Sequence, residues 1–126
     1  MVVSVSGDGC FLMNGQEIST AIQYNLKILF VVFDNGMYGT IRMHQERDYP
    51  EHVYGTDLKN PDFAALARAY GLYAETINTT AEIRGAFERC LDQTVASLIH
   101  IKVDPEAITT RTTLTAIREN ALSKQS

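Results

Sequence analysis

The chain has 126 residues, of which 45% are apolar, which suits one domain with a core of its own. Its formal net charge of −4, with no basic stripe, argues against nucleic acid as a main partner. Cys10 and Cys90 form no disulfide framework or CxxC spacing, residues 28–33 are too few to cross a bilayer, and no basic signal-peptide segment opens the chain. The expectation is a reduced, cytoplasmic protein with no membrane partner.

In chain order, Val2 to Val5 reads as a short strand, buried on both faces because its apolar residues barely alternate. Phe11 to Tyr24 reads as one helix, with Leu12, Ile18, Ala21 and Ile22 facing inward and Asn25 ending it. Ile28 to Phe33 is a second strand, β-branched and aromatic. Met37 to Glu46 resembles a helix, weakened by Gly39, and residues 47–59 form a polar loop. Asn60 is the expected cap of a helix begun by Pro61, which carries Phe63, Leu66, Ala67 and Tyr70 and ends at Gly71.

Leu72 to Ile77 reads as a third strand. Thr79 with Glu82 has capping-box spacing before a helix that buries Ile83, Ala86, Phe87, Cys90 and Leu91. Ser97 to Val103 is a fourth strand, whose alternation with His100 and Lys102 predicts one less buried face. Thr113 caps a last short helix, residues 114–122. Strands alternating with helices predict an α/β fold: a parallel sheet of about four strands, helices on both faces, and right-handed crossovers.

Two motifs follow strands. Gly7-Asp8-Gly9 follows the first and Asp34-Asn35-Gly36 the second. Asp8 and Asn35 therefore fall at the sheet edge where α/β proteins bind ligands. A carboxylate and an amide oxygen suit a hard divalent cation, and backbone N–H groups at a helix start suit a phosphate. Each motif has a plainer reading: Asp8 as a helix cap, Asn35-Gly36 as a hairpin turn. The hairpin needs a strand after it, and residues 37–46 do not alternate as one would.

The pair Gly7-Asp8-Gly9 and Asp34-Asn35 resembles the diphosphate-binding motif of thiamine-diphosphate enzymes. The likeness continues through Met13 to Ala21, Asn35 to Thr40 and Asp62 to Ala67, and is nearest to the acetolactate-synthase-like branch. It implies thiamine diphosphate and Mg2+ as cofactors. Asp8, Asn35 and the Met37 carbonyl would be metal ligands. Gly7, Gly9, Cys10 and Tyr38 would lie against the diphosphate through their backbone. It also implies a 2-oxo-acid decarboxylase or carboligase and a homo-oligomer, at least a dimer.

Two departures from the family pattern stand out. Asp34 replaces the usual first Asn, and six residues precede the GDG where the family has a further strand and helix. The expectation is a partial C-terminal domain over residues 1–126. The family's activating glutamate comes from another domain, so the isolated chain is expected to be inactive. Glu17 is a different residue, expected at a helix surface. A non-catalytic self-associating remnant and a small nucleotide-binding α/β protein are the alternatives. The dinucleotide fingerprint would need a third glycine where Leu12 stands. His44, His52 and His100 lack ligand spacing and are expected in solvent, while Met13, Met37 and Met43 are expected to pack.

Overall fold

The alternation of apolar runs and helical stretches builds a parallel sheet with helical crossovers. The computed structural model describes residues 1–125. The strands are β1 (Val2–Gly7), β2 (Ile28–Asp34), β3 (Tyr73–Ile77) and β4 (Ser97–Lys102), all parallel, in the order β1-β2-β4-β3. The helices are α1 (Asp8–Asn14), α2 (Ile18–Gln23), α3 (Gly39–Asp48), α4 (Phe63–Ala69), α5 (Ile83–Leu91) and α6 (Leu114–Ser123). Two compact units result. One holds Met1–Asp34 and Asn60–Lys102; the other holds Asn35–Lys59 and the chain from Val103 on.

The first unit carries the sheet and its core. Phe63 is fully buried, and its ring meets Phe11 edge-on at 5.3 Å and His100 at 5.1 Å. Ile18, Ala21, Val32, Ala64, Ala67 and Leu98 close around them. Small alanines on α4 allow a close approach to the sheet. Ser97 Oγ donates to the Cys90 carbonyl at 3.2 Å, so α5 covers the other side of β4. Helices thus lie on both faces, as the sequence predicted. Burial pushes the Cys90 thiol up to about 11, which makes it a packing residue.

Several expectations need correction. β1 is not a buried strand: it stands at an edge, with Val5 65% exposed and Val2 and Val3 also open. Its apolar run reports what the strand tends to bury, and says nothing of whether a neighbour stands there. The single helix over 11–24 is two, starting earlier and interrupted by a 3-10 turn at Gly15–Glu17. Asn14 and Gly15 are poor helix formers. A Cβ on Gly15 would lie 2.8 Å from the Phe11 ring, so glycine is required where the turn tightens. Leu12 and Ile22 are exposed; Phe11, Ile18 and Ala21 face inward. Met13 is exposed as well.

α4 begins at Phe63, and its cap is Asp62, whose Oδ1 accepts from the Ala64 and Ala65 N–H groups at 3.0 Å. Asn60 lies two residues before that cap, so it does not cap the helix. His100 is 1% exposed, not in solvent, because β4 is an inner strand covered on both sides. Leu91, expected to be buried on α5, is exposed at the end of that helix; the other helix-end and cap signals hold. Asn25 adopts φ 51 to end α2, Gly71 adopts φ 90 after α4, and Thr79 with Glu82 forms the capping box. Thr113 caps α6 by accepting from Ala116 N–H.

The second unit packs α3 on α6. Glu46 of α3 is fully buried and accepts from both Arg118 of α6 and Arg42 one turn earlier on α3. The Arg118 hydrogen bonds, against the opposing effect of burial, hold its carboxyl at about 2, below the usual 4.5. A depressed folded value means that the pair stabilises fully above pH 4.5 and loses its contribution as pH falls through about 2. The expected outcome for Arg118→Ala is a loss of about 3 kcal/mol at neutral pH, since it takes from a buried carboxylate its strongest donor. Urea titrations across the acid range should also show a shallower pH dependence for Glu46→Gln than for the parent chain.

Candidate functional site

Parallel register sets Gly7 beside Phe33 and Asp34 beside Lys102. Asp8, Asp34 and Lys102 therefore gather at the carboxyl edge of the sheet, with His100 two residues before Lys102. That edge is where parallel sheets take ligands.

Asp8 opens α1 and is 3% exposed. Its Oδ1 accepts from Gly9 N–H at 2.9 Å, and its Oδ2 accepts from Asn60 Nδ2 at 2.6 Å. Gly7 precedes it in extended conformation, and a Cβ there would meet no protein atom within 4 Å. The fold does not itself require a glycine at that position, and the strand end is open to a ligand. Cys10 is exposed and lines, with Ser4 and Ser6 of β1, a cavity of about 400 Å³.

Asp34 ends β2 and is 4% exposed. Its Oδ2 accepts from His100 Nε2 at 2.7 Å and from Lys102 Nζ at 2.6 Å. Its Oδ1 accepts from Asn60 Nδ2 at 2.7 Å. Burial alone would raise its pKa, but the hydrogen bonds from Lys102, His100 and Asn60 outweigh it and hold the carboxyl well below the usual range. His100 Nδ1 is buried without a hydrogen bond, 3.7 Å from Asp62 Oδ1. The Ala65 N–H bond to Asp62, more than offsetting burial, lowers the Asp62 carboxyl pKa.

Asn35, Met37 and Tyr38 lie in the second unit, on the segment that leaves β2. No strand follows Asn35-Gly36; α3 does, which removes the hairpin reading. Asn35 Oδ1 accepts from Met37 N–H at 3.2 Å. Gly39 makes room for it, since a Cβ there would lie 2.8 Å from Asn35 Nδ2. Met37 bridges to Asp57. The Tyr38 N–H donates to the Thr56 carbonyl and its own carbonyl accepts from Arg42 N–H, both at 2.9 Å.

Glu17 is exposed and accepts from Thr20 Oγ1 at 2.7 Å, a structural role. His44 and His52 are exposed. Among the described residues no three His, Cys, Asp or Glu side chains form a metal-holding group. Sequence reasoning missed Asn60, His100 and Lys102. The Asn60-Pro61-Asp62 run offers two cap candidates, and with Asp62 taking the cap the Asn60 amide is left for another use.

Comparison with known proteins places this geometry. Residues 1–101 match the model described as thiamine pyrophosphate enzyme, C-terminal TPP binding domain. The chain is 37% identical over 115 residues to the 3D-(3,5/4)-trihydroxycyclohexane-1,2-dione hydrolase of Bacillus subtilis (strain 168), covering 86% of this chain and 18% of that protein. It is 35% identical over 104 residues to the acetolactate synthase isozyme 2 large subunit of Escherichia coli (strain K12), covering 82% and 19%. The crystal structure of benzoylformate decarboxylase from Polynucleobacter necessarius superposes with a TM-score of 0.75 at 31% identity, over 82% of this chain and 20% of that one. The chain thus spans about a fifth of the length of these relatives. No helix among the described residues is long and apolar enough to cross a membrane. With an α/β sheet and a strand-end GDG inside the matched segment, the chain belongs to the family of thiamine pyrophosphate enzyme C-terminal TPP-binding domains.

Proposed function

We propose that this chain anchors the diphosphate of thiamine diphosphate through Mg2+, as the cofactor-holding part of a 2-oxo-acid decarboxylase or carboligase. The observation that carries the reading is the buried Asp8 carboxylate at the carboxyl end of β1, within the matched segment. The residues fit such a group. Asp8 brings a buried carboxylate, a hard oxygen donor of the kind Mg2+ takes. Gly7 leaves the strand end open. Asn35 and Met37 enter as ligands by their place in the motif.

In this reading Asp8 holds the cation. Gly9 spends its N–H on Asp8 Oδ1 and so fixes the carboxylate, and Cys10 offers its backbone N–H in the first turn of α1. Tyr38, with N–H and carbonyl engaged by Thr56 and Arg42, holds the loop that presents Asn35 and Met37. The bound cofactor supplies the carbanion-stabilising chemistry; the chain supplies position and charge.

Calorimetry with thiamine diphosphate and Mg2+, against NAD as control, tests the reading. The expected outcome is cation-dependent heat with the first ligand and none with NAD. Asp8→Ala should weaken binding by more than about tenfold, or 1.4 kcal/mol, and by more than Asn35→Ala does, since it removes a full charge from the cation's shell. Equal binding by the parent chain and Asp8→Ala would overturn the assignment.

The isolated chain is expected not to decarboxylate pyruvate. Activation in the resembled family needs a glutamate from another domain, and no carboxylate here is assigned that role. Carbon dioxide release that stops when cofactor is withdrawn would refute this.

Self-association is part of the same proposal, with a second copy as the partner. β1 is an uncharged edge strand whose open backbone is flanked by exposed Val2, Val3 and Val5, and Phe33 on β2 is 43% exposed. Natural edges are usually blunted by a charge or a proline, and β1 has neither. Two β1 strands paired antiparallel about a two-fold axis would satisfy both edges at once. Sedimentation should give a dimer for the parent chain and a monomer for Val5→Lys; a parent monomer at tens of micromolar rules it out.

A further inference from the structure

We infer that Asn60 is a positioning residue for the cation site: its amide ties Asp8 to Asp34 and so fixes the direction in which Asp8 presents its charge. The inference rests on the reading of Asp8 as a cation ligand.

Asn60 Nδ2 lies 2.6 Å from Asp8 Oδ2 and 2.7 Å from Asp34 Oδ1. One amide therefore spends its two hydrogens on two buried carboxylates, one opening α1 and one ending β2. The opposite amide orientation is ruled out by charge, since it would turn Oδ1 toward two carboxylate oxygens. Asn60 Oδ1 is itself buried with no hydrogen-bond partner. The side chain is thus oriented by its donor end, at the expense of its acceptor end.

The bridge has a fixed foundation. Asp34 is held by Lys102 Nζ at 2.6 Å and His100 Nε2 at 2.7 Å, and His100 packs edge-on against Phe63 in the core. Asn60 sits two residues before Asp62, the cap of α4, so its backbone is tied to that helix. Asp8 Oδ1 meanwhile accepts from its neighbour Gly9. The two oxygens of Asp8 thus have different anchors, one local and one crossing to β2 and β4.

The choice of an amide matters chemically. Lysine or arginine could also donate to two carboxylates, but each would bring a positive charge to the place where a cation must sit. A neutral donor orients Asp8 without cancelling its charge. Groups that orient a metal ligand from behind typically change affinity by about 10- to 100-fold when removed.

The test uses the full chain with thiamine diphosphate and Mg2+ in calorimetry. Asn60→Ala is expected to weaken binding by about 10- to 100-fold. That variant also leaves Asp8 and Asp34 as neighbouring carboxylates without their shared donor, so it risks misfolding. The double variant Asn60→Ala/Asp34→Asn removes that repulsion and keeps a hydrogen-bond acceptor at position 34. It should fold by circular dichroism and still bind weakly. In an Asp8→Ala background, adding Asn60→Ala should change binding no further, because the residue acts through Asp8.

A structural readout needs no ligand. The Asn60 side-chain NH2 signals in ¹⁵N spectra should exchange slowly with water and shift when Asp8 is replaced by Ala. No cation-dependent binding by the parent chain would overturn the reading of the site and this inference with it. Binding by the parent that both Asn60 variants leave unchanged, or NH2 signals indifferent to Asp8→Ala, would overturn the inference alone.

Discussion

A carboxylate removed from water must be repaid where it sits, and Asp34 is the one around which this sheet edge is arranged. Isolated in a low-dielectric interior its charge would not survive. It survives because Lys102 and His100 from the adjacent strand and Asn60 from the approach to α4 all donate to it. Those donors come from two separate parts of the chain, β4 and the approach to α4. The β2–β4 register sets Asp34 directly opposite Lys102, and only the parallel arrangement brings them there. Slipping that register by one residue would turn every β4 side chain to the other face and leave Asp34 buried without its ion pair.

That constraint reaches the core as well as the edge. His100 donates to Asp34 with one ring nitrogen and presents its ring to Phe63, which in turn meets Phe11 of α1. A polar contact at the sheet's end and an edge-on aromatic contact in the core thus share one side chain. α1 carries Asp8 at its first position and Phe11 three residues on, so the helix is fixed at the site and in the core together. The second unit solves a similar problem with Glu46, whose burial is balanced by two arginines from α3 and α6.

Much of this was legible in the residues. The parallel α/β pattern, helices on both faces, the capping box at Thr79 and Glu82, and the ends of α2 and α4 follow from local chemistry that the fold leaves in place. What failed were inferences about burial. The Val2–Val5 run and the His100 alternation were each read by polarity, and each was reversed by strand order: β1 lies outside and β4 inside. Periodicity describes one strand, whereas burial depends on which strands flank it. The Asn60 misreading has another origin. A cap is a local role, and Asn60 has amide hydrogens that a non-local partner could claim. Its partners are 52 and 26 residues away in sequence, beyond any window of local pattern.

The substitution that departs from the family motif, Asp34 for the usual Asn, gains meaning from these partners. An asparagine there could accept a hydrogen bond but would offer Lys102 and His100 no negative charge. With aspartate, the lysine at the end of β4 is drawn to β2, 2.6 Å from Oδ2. A positive charge that would oppose a cation at this edge is thereby matched by Asp34. The Asn60 donor that reaches Asp8 is neutral. Both acids at this edge meet the same uncharged amide, and Asp34 meets the lysine as well. That arrangement lets a single sheet edge hold a buried ion pair and a second carboxylate bridged to it by a neutral amide.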